Sequence, residues 1–288
     1  MTFNEQSERW MHEMQTRKRN PIKPSSAAAF RSHLNWLQPR IGKMELSEVT
    51  NRTLKELVPH IVGSPKTVSC YLATVKAVVA SALDENGEPL YKRDWNSDFI
   101  DAPTVGKQKT PTFSGEQIAD IVARGNGTGF LYRLSAGTGL RIGELLALEP
   151  RHFRGRTITV EQSQWNGTIQ TPKTVNGFRE VDLSAGLSNE LQAWIGGRSH
   201  GFIFEKPRTY GDALQKLHGI LDGLKIEQTG FHAFRRFRKT HLGKMRVPRD
   251  LTKYWLGHAD SDVTDSYDKI ETDVEFRLAE AERAGLGF

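Results

Sequence analysis

The stretch FHAFRRFRKTHL, at residues 231–242, decides how the rest of the chain is interpreted. Its pattern predicts a basic helix that places His232 and Arg235 one turn apart on the same face. The segment LGHADSDVTDSY, at residues 256–267, adds a second histidine, His258, and a tyrosine nine residues after it. From His232 to His258 the chain carries eight Lys or Arg residues and one acid. This imbalance predicts a surface that attracts a polyanion such as nucleic acid.

A second motif upstream, GTGLRIGELLAL at residues 137–148, supplies Arg141, with Glu144 three residues later. Cleavage of a phosphodiester spreads negative charge over the non-bridging oxygens in the transition state, and the planar fork of arginine matches two such oxygens. Arg141 and Arg235 are therefore the candidates for holding a phosphate, and Glu144 could hold the Arg141 guanidinium in place. An ordinary helix ion pair is the alternative for Arg141 and Glu144.

The candidate nucleophile is Tyr267. A phenol has an ordinary pKa of about 10, so it needs a base, and His232 is the candidate because it shares a helix face with Arg235. Lys173, in the turn-like stretch QTPKTVNG, is the candidate for protonating a leaving 5′-oxygen, and His258 could donate a hydrogen bond to a phosphate oxygen. Three lysines further along the chain are alternatives to Lys173: Lys206, Lys216 and Lys225.

The composition predicts an intracellular DNA-binding protein that uses no cofactor. The chain has 288 residues, a net charge of +6 and a sequence pI of about 9.4. Its single cysteine, Cys70, excludes an internal disulfide and a cysteine-based zinc site, and the histidine spacing matches no zinc pattern. The sequence contains no nucleotide-binding loop of the GxxxxGK[ST] type, no long apolar run and no signal peptide at its start.

Helical periodicity without a strand pattern predicts a helical domain over residues 1–100, followed by a linker at 101–112 and a second domain over 113–288. In the first domain, Ser25 or Ser26 is expected to cap a helix that ends at Pro39. Five residues of this domain are candidates for touching DNA, with packing or solvent exposure as the alternative for each: Trp36, Arg40, Lys66, Lys76 and Trp95.

The second domain is predicted to be mainly helical with one small antiparallel sheet. Three short stretches, at residues 157–160, 167–172 and 178–183, have β-strand character. A capping box at 114–117 predicts the first helix of this domain, and another at 272–275 predicts the last.

Taken in order, these motifs resemble the tyrosine recombinase, or phage integrase, family. That family shows an arginine in T-G-L-R-x-x-E-L, a lysine in a β-hairpin, H-x-x-R, G-H, and a tyrosine nine residues on. The corresponding positions here are residues 138–145, Lys173, residues 232–235, residues 257–258 and Tyr267. The resemblance covers roughly residues 1–285. Phe234 stands where the family often has leucine and keeps the apolar anchor, and no catalytic group is lost.

The resemblance implies a mainly α fold with a small antiparallel β-sheet, in which a helical, SAM-like core-binding domain and a catalytic domain close as a clamp on double-stranded DNA. It implies a site-specific recombinase of the integrase or excisionase type that works through a covalent 3′-phosphotyrosine without metal or ATP. It also implies a Holliday junction and a homotetramer on DNA, with the C-terminal segment at 272–288 packing onto a neighbouring subunit.

The expected setting is bacterial or phage-encoded, on a mobile genetic element, in the cytoplasm at the nucleoid. Since the helices begin at the start of the sequence, DNA binding by an extra N-terminal arm-site domain is not expected. Two other functions remain open on the residues. One is a type IB topoisomerase-like relaxer with the same chemistry, and the other is a catalytically idle DNA-binding regulator.

Overall fold

The computed structural model describes residues 1–106, 110–172, 174–258 and 270–288. The chain divides into two compact units, Met1–Gln108 and Lys109–Phe288. In the described part of the chain, no helix combines the length and the apolar character needed to cross a bilayer.

The first unit is helical and has its own apolar core. Thr2 and Glu5 form the capping box that begins its first helix, and the Ser64 hydroxyl accepts from the backbone N–H of Thr67 at the start of the fourth. Core side chains such as Phe3 and Val75 are fully buried. The helices are α1 (Phe3–Thr16), α2 (Pro24–Ile41), α3 (Asn51–Leu57), α4 (Pro65–Ala80) and α5 (Ser97–Ile100).

Both predicted ends of α2 were wrong. The N-cap is Lys23, and Pro24 takes the first helical position, where its fixed φ suits the helix and its missing N–H is not needed. The helix also continues through Pro39 to its end at Ile41. Because Leu37 and Ile41 are buried on either side of Pro39, apolar packing outweighs the one backbone hydrogen bond that a proline nitrogen cannot make.

The second unit is also mainly helical. The predicted capping box at its start is present, with the Ser114 hydroxyl and the Gln117 side chain each bonded to the other's backbone N–H. Its core joins residues of the first helices and of the strands, including Leu131 and Phe234. The helices are α6 (Gly115–Arg124), α7 (Gly129–Thr138), α8 (Ile142–Leu146), α9 (Ala185–Ile195), α10 (Tyr210–Leu224), α11 (His232–Lys244), α12 (Arg249–Leu256) and α13 (Val274–Ala284).

The predicted strands form two antiparallel sheets rather than one. A three-stranded sheet has the order β1-β2-β5, with Thr157 opposite Asp182 and Val160 opposite Arg179. The other two strands form a separate hairpin around an Asn166–Gly167 turn, whose positive φ angles suit a tight two-residue loop. The strands are β1 (Phe153–Arg154), β2 (Thr157–Val160), β3 (Ser163–Trp165), β4 (Thr168–Gln170) and β5 (Arg179–Asp182).

The C-terminal helix α13 packs on its own domain. Its N-cap is Asp273, whose carboxylate accepts from Phe276 N at 3.0 Å, one residue beyond the predicted cap at Thr272. The Arg277 guanidinium is buried, with Nε 2.9 Å from the Asp182 carboxylate. The small side chains of α13 pack on an apolar cluster from α11 and α12 that includes Trp255. In this structure residues 274–284 therefore stabilise the domain to which they belong.

Candidate active site

Arg235 lies on α11 with its guanidinium inside the protein. Its side chain bridges two elements, since Nη1 donates to the Gly139 carbonyl at 3.0 Å and Nη2 donates to the Leu256 carbonyl at the end of α12. Gly139 ends α7 with a φ of 70°, and a Cβ there would lie 2.7 Å from a methyl of Leu256. Gly139, the second glycine of the GTG turn, therefore lets α7 and α12 approach closely enough for Arg235 to bind both.

Arg141 lies directly before α8 and is held by Glu144 at the third helical position. The Glu144 carboxylate accepts from the Arg141 backbone N–H at 2.9 Å and from its Nη1 at 2.8 Å. Arg141 Nη2 donates to the Gly257 carbonyl at 3.2 Å. The predicted contact between Arg141 and Glu144 is thus present. The two arginines bind the carbonyls of consecutive residues, Leu256 and Gly257, so their guanidiniums converge beside His258.

The two arginines differ in exposure. The Arg141 side chain is 32% exposed, whereas Arg235 is 8% exposed. Burial, and then the positive charge of Arg141, lowers the pKa of Arg235 to about 9, so its guanidinium is still charged at neutral pH. Glu144 is buried beside them and offsets part of this charge. The arrangement can hold an anion against a partly open Arg141, with Arg235 as a fixed cation behind it.

The two histidines of the site are biased toward the neutral form. Burial, followed by the charges of Arg235, Lys239 and Arg141, lowers the pKa of His258 to about 4. Burial, then the charge of Arg235, also lowers the pKa of His232. A neutral imidazole can accept a proton, as the proposed base must, or donate a hydrogen bond to phosphate oxygen through its remaining N–H.

We expect His258 to stay neutral in the DNA-free protein as the pH falls from about 6.5 towards 4, because its pKa is about 4. The folded protein then binds fewer protons than the unfolded chain, so this histidine lowers the free energy of unfolding across that window as the pH falls. An NMR titration of the imidazole nitrogens measures the pKa, and denaturant unfolding at two pH values measures the effect on stability. His258→Asn should lose part of the acid sensitivity. Titration of His258 at its ordinary value would contradict this prediction.

Part of the predicted site lies within the residues that the structure describes. Arg141, Glu144, Arg235 and His258 come together, and His232 lies close enough for its pKa to respond to the charges of Arg235 and Arg141. The other two predicted site residues lie outside the described residues: Lys173 and Tyr267.

One buried arginine at the site escaped the sequence analysis. Arg179, the first residue of β5, is paired with Glu144, with Nη2 2.9 Å from Oε2. The strand places Arg179 two residues before Val181, and both are buried. An arginine at an inward-facing position of a strand was the available signal, because such a charge needs a buried partner.

The mainly helical fold and the converging arginines are what the resemblance to tyrosine recombinases predicts for a catalytic domain. The model of the phage integrase family matches residues 117–273, more than half of the sequence, and the chain belongs to that family. The fold class predicted from the sequence is confirmed.

Individual relatives agree with this assignment. A XerC-like tyrosine recombinase from Caldanaerobacter subterraneus subsp. tengcongensis is 27% identical over 241 residues, which cover 70% of this chain. The chain spans 61% of that relative's length.

Solved structures show the same fold at lower identity. An integrase of the Tn1549 transposon, in complex with transposon right end DNA, matches 98% of both chains with a TM-score of 0.74 at 20% identity. A lambda integrase dimer bound to a COC′ core site has a TM-score of 0.66 at 16% identity. The match covers 94% of this chain and 80% of the lambda integrase chain.

Proposed function

We propose that this protein is a site-specific DNA recombinase that cuts and rejoins strands through a covalent 3′-phosphotyrosine, without metal or ATP. The observation that supports it most is the convergence of Arg141 and Arg235 on the carbonyls of Gly257 and Leu256, next to His258. Two fixed cations at one point suit the dispersed negative charge of a phosphodiester in its transition state.

The proposed chemistry is a phosphoryl transfer with a tyrosine intermediate. The Tyr267 oxygen attacks the phosphorus while its proton passes to His232. The bond from phosphorus to the 5′-oxygen breaks, and that oxygen takes a proton from Lys173. Arg141, Arg235 and His258 hold the non-bridging oxygens. Attack by another 5′-hydroxyl on the phosphotyrosine reverses these steps and joins the new strand, so the phosphoester bond energy is retained.

The proposal also assigns the parts of the chain. Residues 1–100 would form the core-binding domain, 101–112 the linker and 113–288 the catalytic domain, together enclosing duplex DNA. A related solved structure is a lambda integrase tetramer bound to a Holliday junction. By analogy, we propose that this protein acts as a homotetramer on its DNA site. The segment at 272–288 would pass to a neighbouring subunit only by giving up the ion pair between Arg277 and Asp182.

The test uses the DNA that flanks the gene, cloned as paired copies in a supercoiled plasmid. Incubation with the protein alone should give recombined products that depend on both copies. Relaxation of any supercoiled plasmid without exchange would favour a topoisomerase. Binding to the flanking DNA with no covalent adduct and no product would favour a DNA-binding regulator. Either of these outcomes would overturn the proposal.

A further inference from the structure

Arg179 is buried in the centre of the candidate site. Its side chain is 1% exposed, and every nitrogen of the guanidinium donates to a protein acceptor. Nε donates to the Trp255 carbonyl at 2.8 Å, and Nη1 donates to the Gly177 carbonyl at 3.0 Å. Nη1 and Nη2 also donate to the two carboxylate oxygens of Glu144, at 3.3 Å and 2.9 Å. Because its guanidinium is buried and all three nitrogens already donate to protein acceptors, Arg179 acts only through its neighbours.

We propose that Arg179 is a positioning residue that sets the orientation of Arg141 for the scissile phosphate. This inference rests on the function proposed above. Glu144 Oε1 accepts from Nη1 of both arginines, and Oε2 accepts from Arg179 Nη2 and from the Arg141 backbone N–H. The carboxylate that holds Arg141 is therefore itself fixed in its plane by the fork of Arg179.

The Gly257 carbonyl, the other hydrogen-bond partner of the Arg141 guanidinium, is also positioned by Arg179. Arg141 Nη2 donates to the Gly257 carbonyl, and a Cβ on Gly257 would lie 3.0 Å from Arg179 Cζ. Gly257 has a φ of 58°, and the carbonyl two residues earlier, that of Trp255, accepts from Arg179 Nε. Arg179 thus supports the backbone turn that presents the Gly257 carbonyl, as well as the carboxylate on the other side of Arg141.

The charge balance leads to the same role. Burial alone would raise the pKa of Glu144, but the hydrogen bonds and charge of Arg179, followed by those of Arg141, leave it below its ordinary value. Without Arg179, the buried carboxylate would either take a proton or depend on Arg141 alone. Each outcome changes the position of Arg141 or the charge around it, and both weaken its hold on a phosphate.

Arg179→Lys tests the inference because it keeps the charge and removes the planar fork. With nicked suicide duplex and saturating protein, we expect covalent adduct formation to slow about a hundredfold, as for other small displacements of a reacting group. DNA affinity should stay close to that of wild type. Arg277→Lys is the matched control, since Arg277 is equally buried and paired with a buried carboxylate, Asp182, and its hydrogen bonds go to Asp182, Glu180 and Glu271 rather than to Glu144. That control should cleave at nearly the wild-type rate.

A neutral substrate separates positioning from general loss of structure. A methylphosphonate at the scissile position lacks one anionic oxygen and so needs Arg141 less. If Arg179 acts through Arg141, the penalty of Arg179→Lys should shrink on this substrate. The double variant with Arg141→Ala should also be no slower than Arg141→Ala alone on ordinary DNA.

Several results would overturn the inference. They are a wild-type cleavage rate in Arg179→Lys, an equal loss in Arg277→Lys, an unchanged penalty on the neutral linkage, or additive losses in the double variant. If Arg179→Lys fails to fold, as shown by its thermal melting curve, Arg179 serves stability and the inference is also overturned. Absence of an adduct with the wild-type protein is a separate outcome, since it removes the proposed function itself.

Discussion

Tyr267→Phe is expected to abolish the covalent protein–DNA adduct while leaving DNA binding unchanged. The ring keeps its size and loses only the oxygen that would bond to phosphorus, so chemistry stops before any strand is cut. The assay uses a nicked suicide duplex, in which loss of a short fragment traps the adduct, and a denaturing gel that separates free from protein-bound DNA. Gel shifts under native conditions measure the retained affinity.

The chain offers a matched control for this change in Tyr254. Its hydroxyl lies on α12 and accepts from the backbone N–H of Glu180 at 3.1 Å, so Tyr254→Phe removes a phenol oxygen near the site but outside the proposed chemistry. This control should still form the adduct. An adduct that persists in Tyr267→Phe would assign the nucleophile to another residue, and loss in both variants would indicate a disturbed fold.

Some local features could be predicted from the sequence, although both ends of α2 and the N-cap of α13 were predicted wrongly. The cap at Ser114 depends on residues three positions apart, as does the contact between Arg141 and Glu144. The grouping of strands was predicted wrongly. The paired residues of β2 and β5 lie 19 to 25 positions apart, and the two strands between them pair with each other as a separate hairpin. Periodicity identifies a strand but does not select its neighbour.

The contacts that hold Arg141 in place could not be predicted from neighbouring residues in the sequence either. Glu144 and Arg179 are 35 positions apart, and Arg179 and Trp255 are 76 apart. Only the packing of α8, β5 and α12 brings them together. The motif around Arg141 therefore indicates which groups could meet a phosphate, whereas the groups that orient it are set by tertiary structure.

Arg235→Met is expected to lower the rate of adduct formation by about 10²–10³, the usual cost of removing one preorganised donor from a transition state. Binding should change little, because affinity for DNA is the sum of many phosphate contacts and Arg235 is only 8% exposed. Single-turnover cleavage of the suicide duplex at saturating protein measures this loss.

The thermal stability of Arg235→Met should change much less than its cleavage rate. Burial and the nearby charge of Arg141 lower the pKa of Arg235 to about 9, so the folded state carries this charge at a cost at neutral pH. Methionine relieves that cost, while the carbonyls of Gly139 and Leu256 lose their donor, and the two effects oppose each other. We therefore expect a melting temperature close to that of wild type.

Arg238→Met is the matched control, three residues further along α11. Arg238 is also buried, burial lowers its pKa to about 10, and its Nη1 donates to the Gly285 carbonyl rather than to the site. The same chemical change there should leave cleavage intact. If both methionine variants lost activity equally, cleavage would depend on the general charge of α11. A loss confined to Arg235→Met would instead show that the position of Arg235 beside Arg141 matters, because Arg235 and Arg238 are both buried cations of α11.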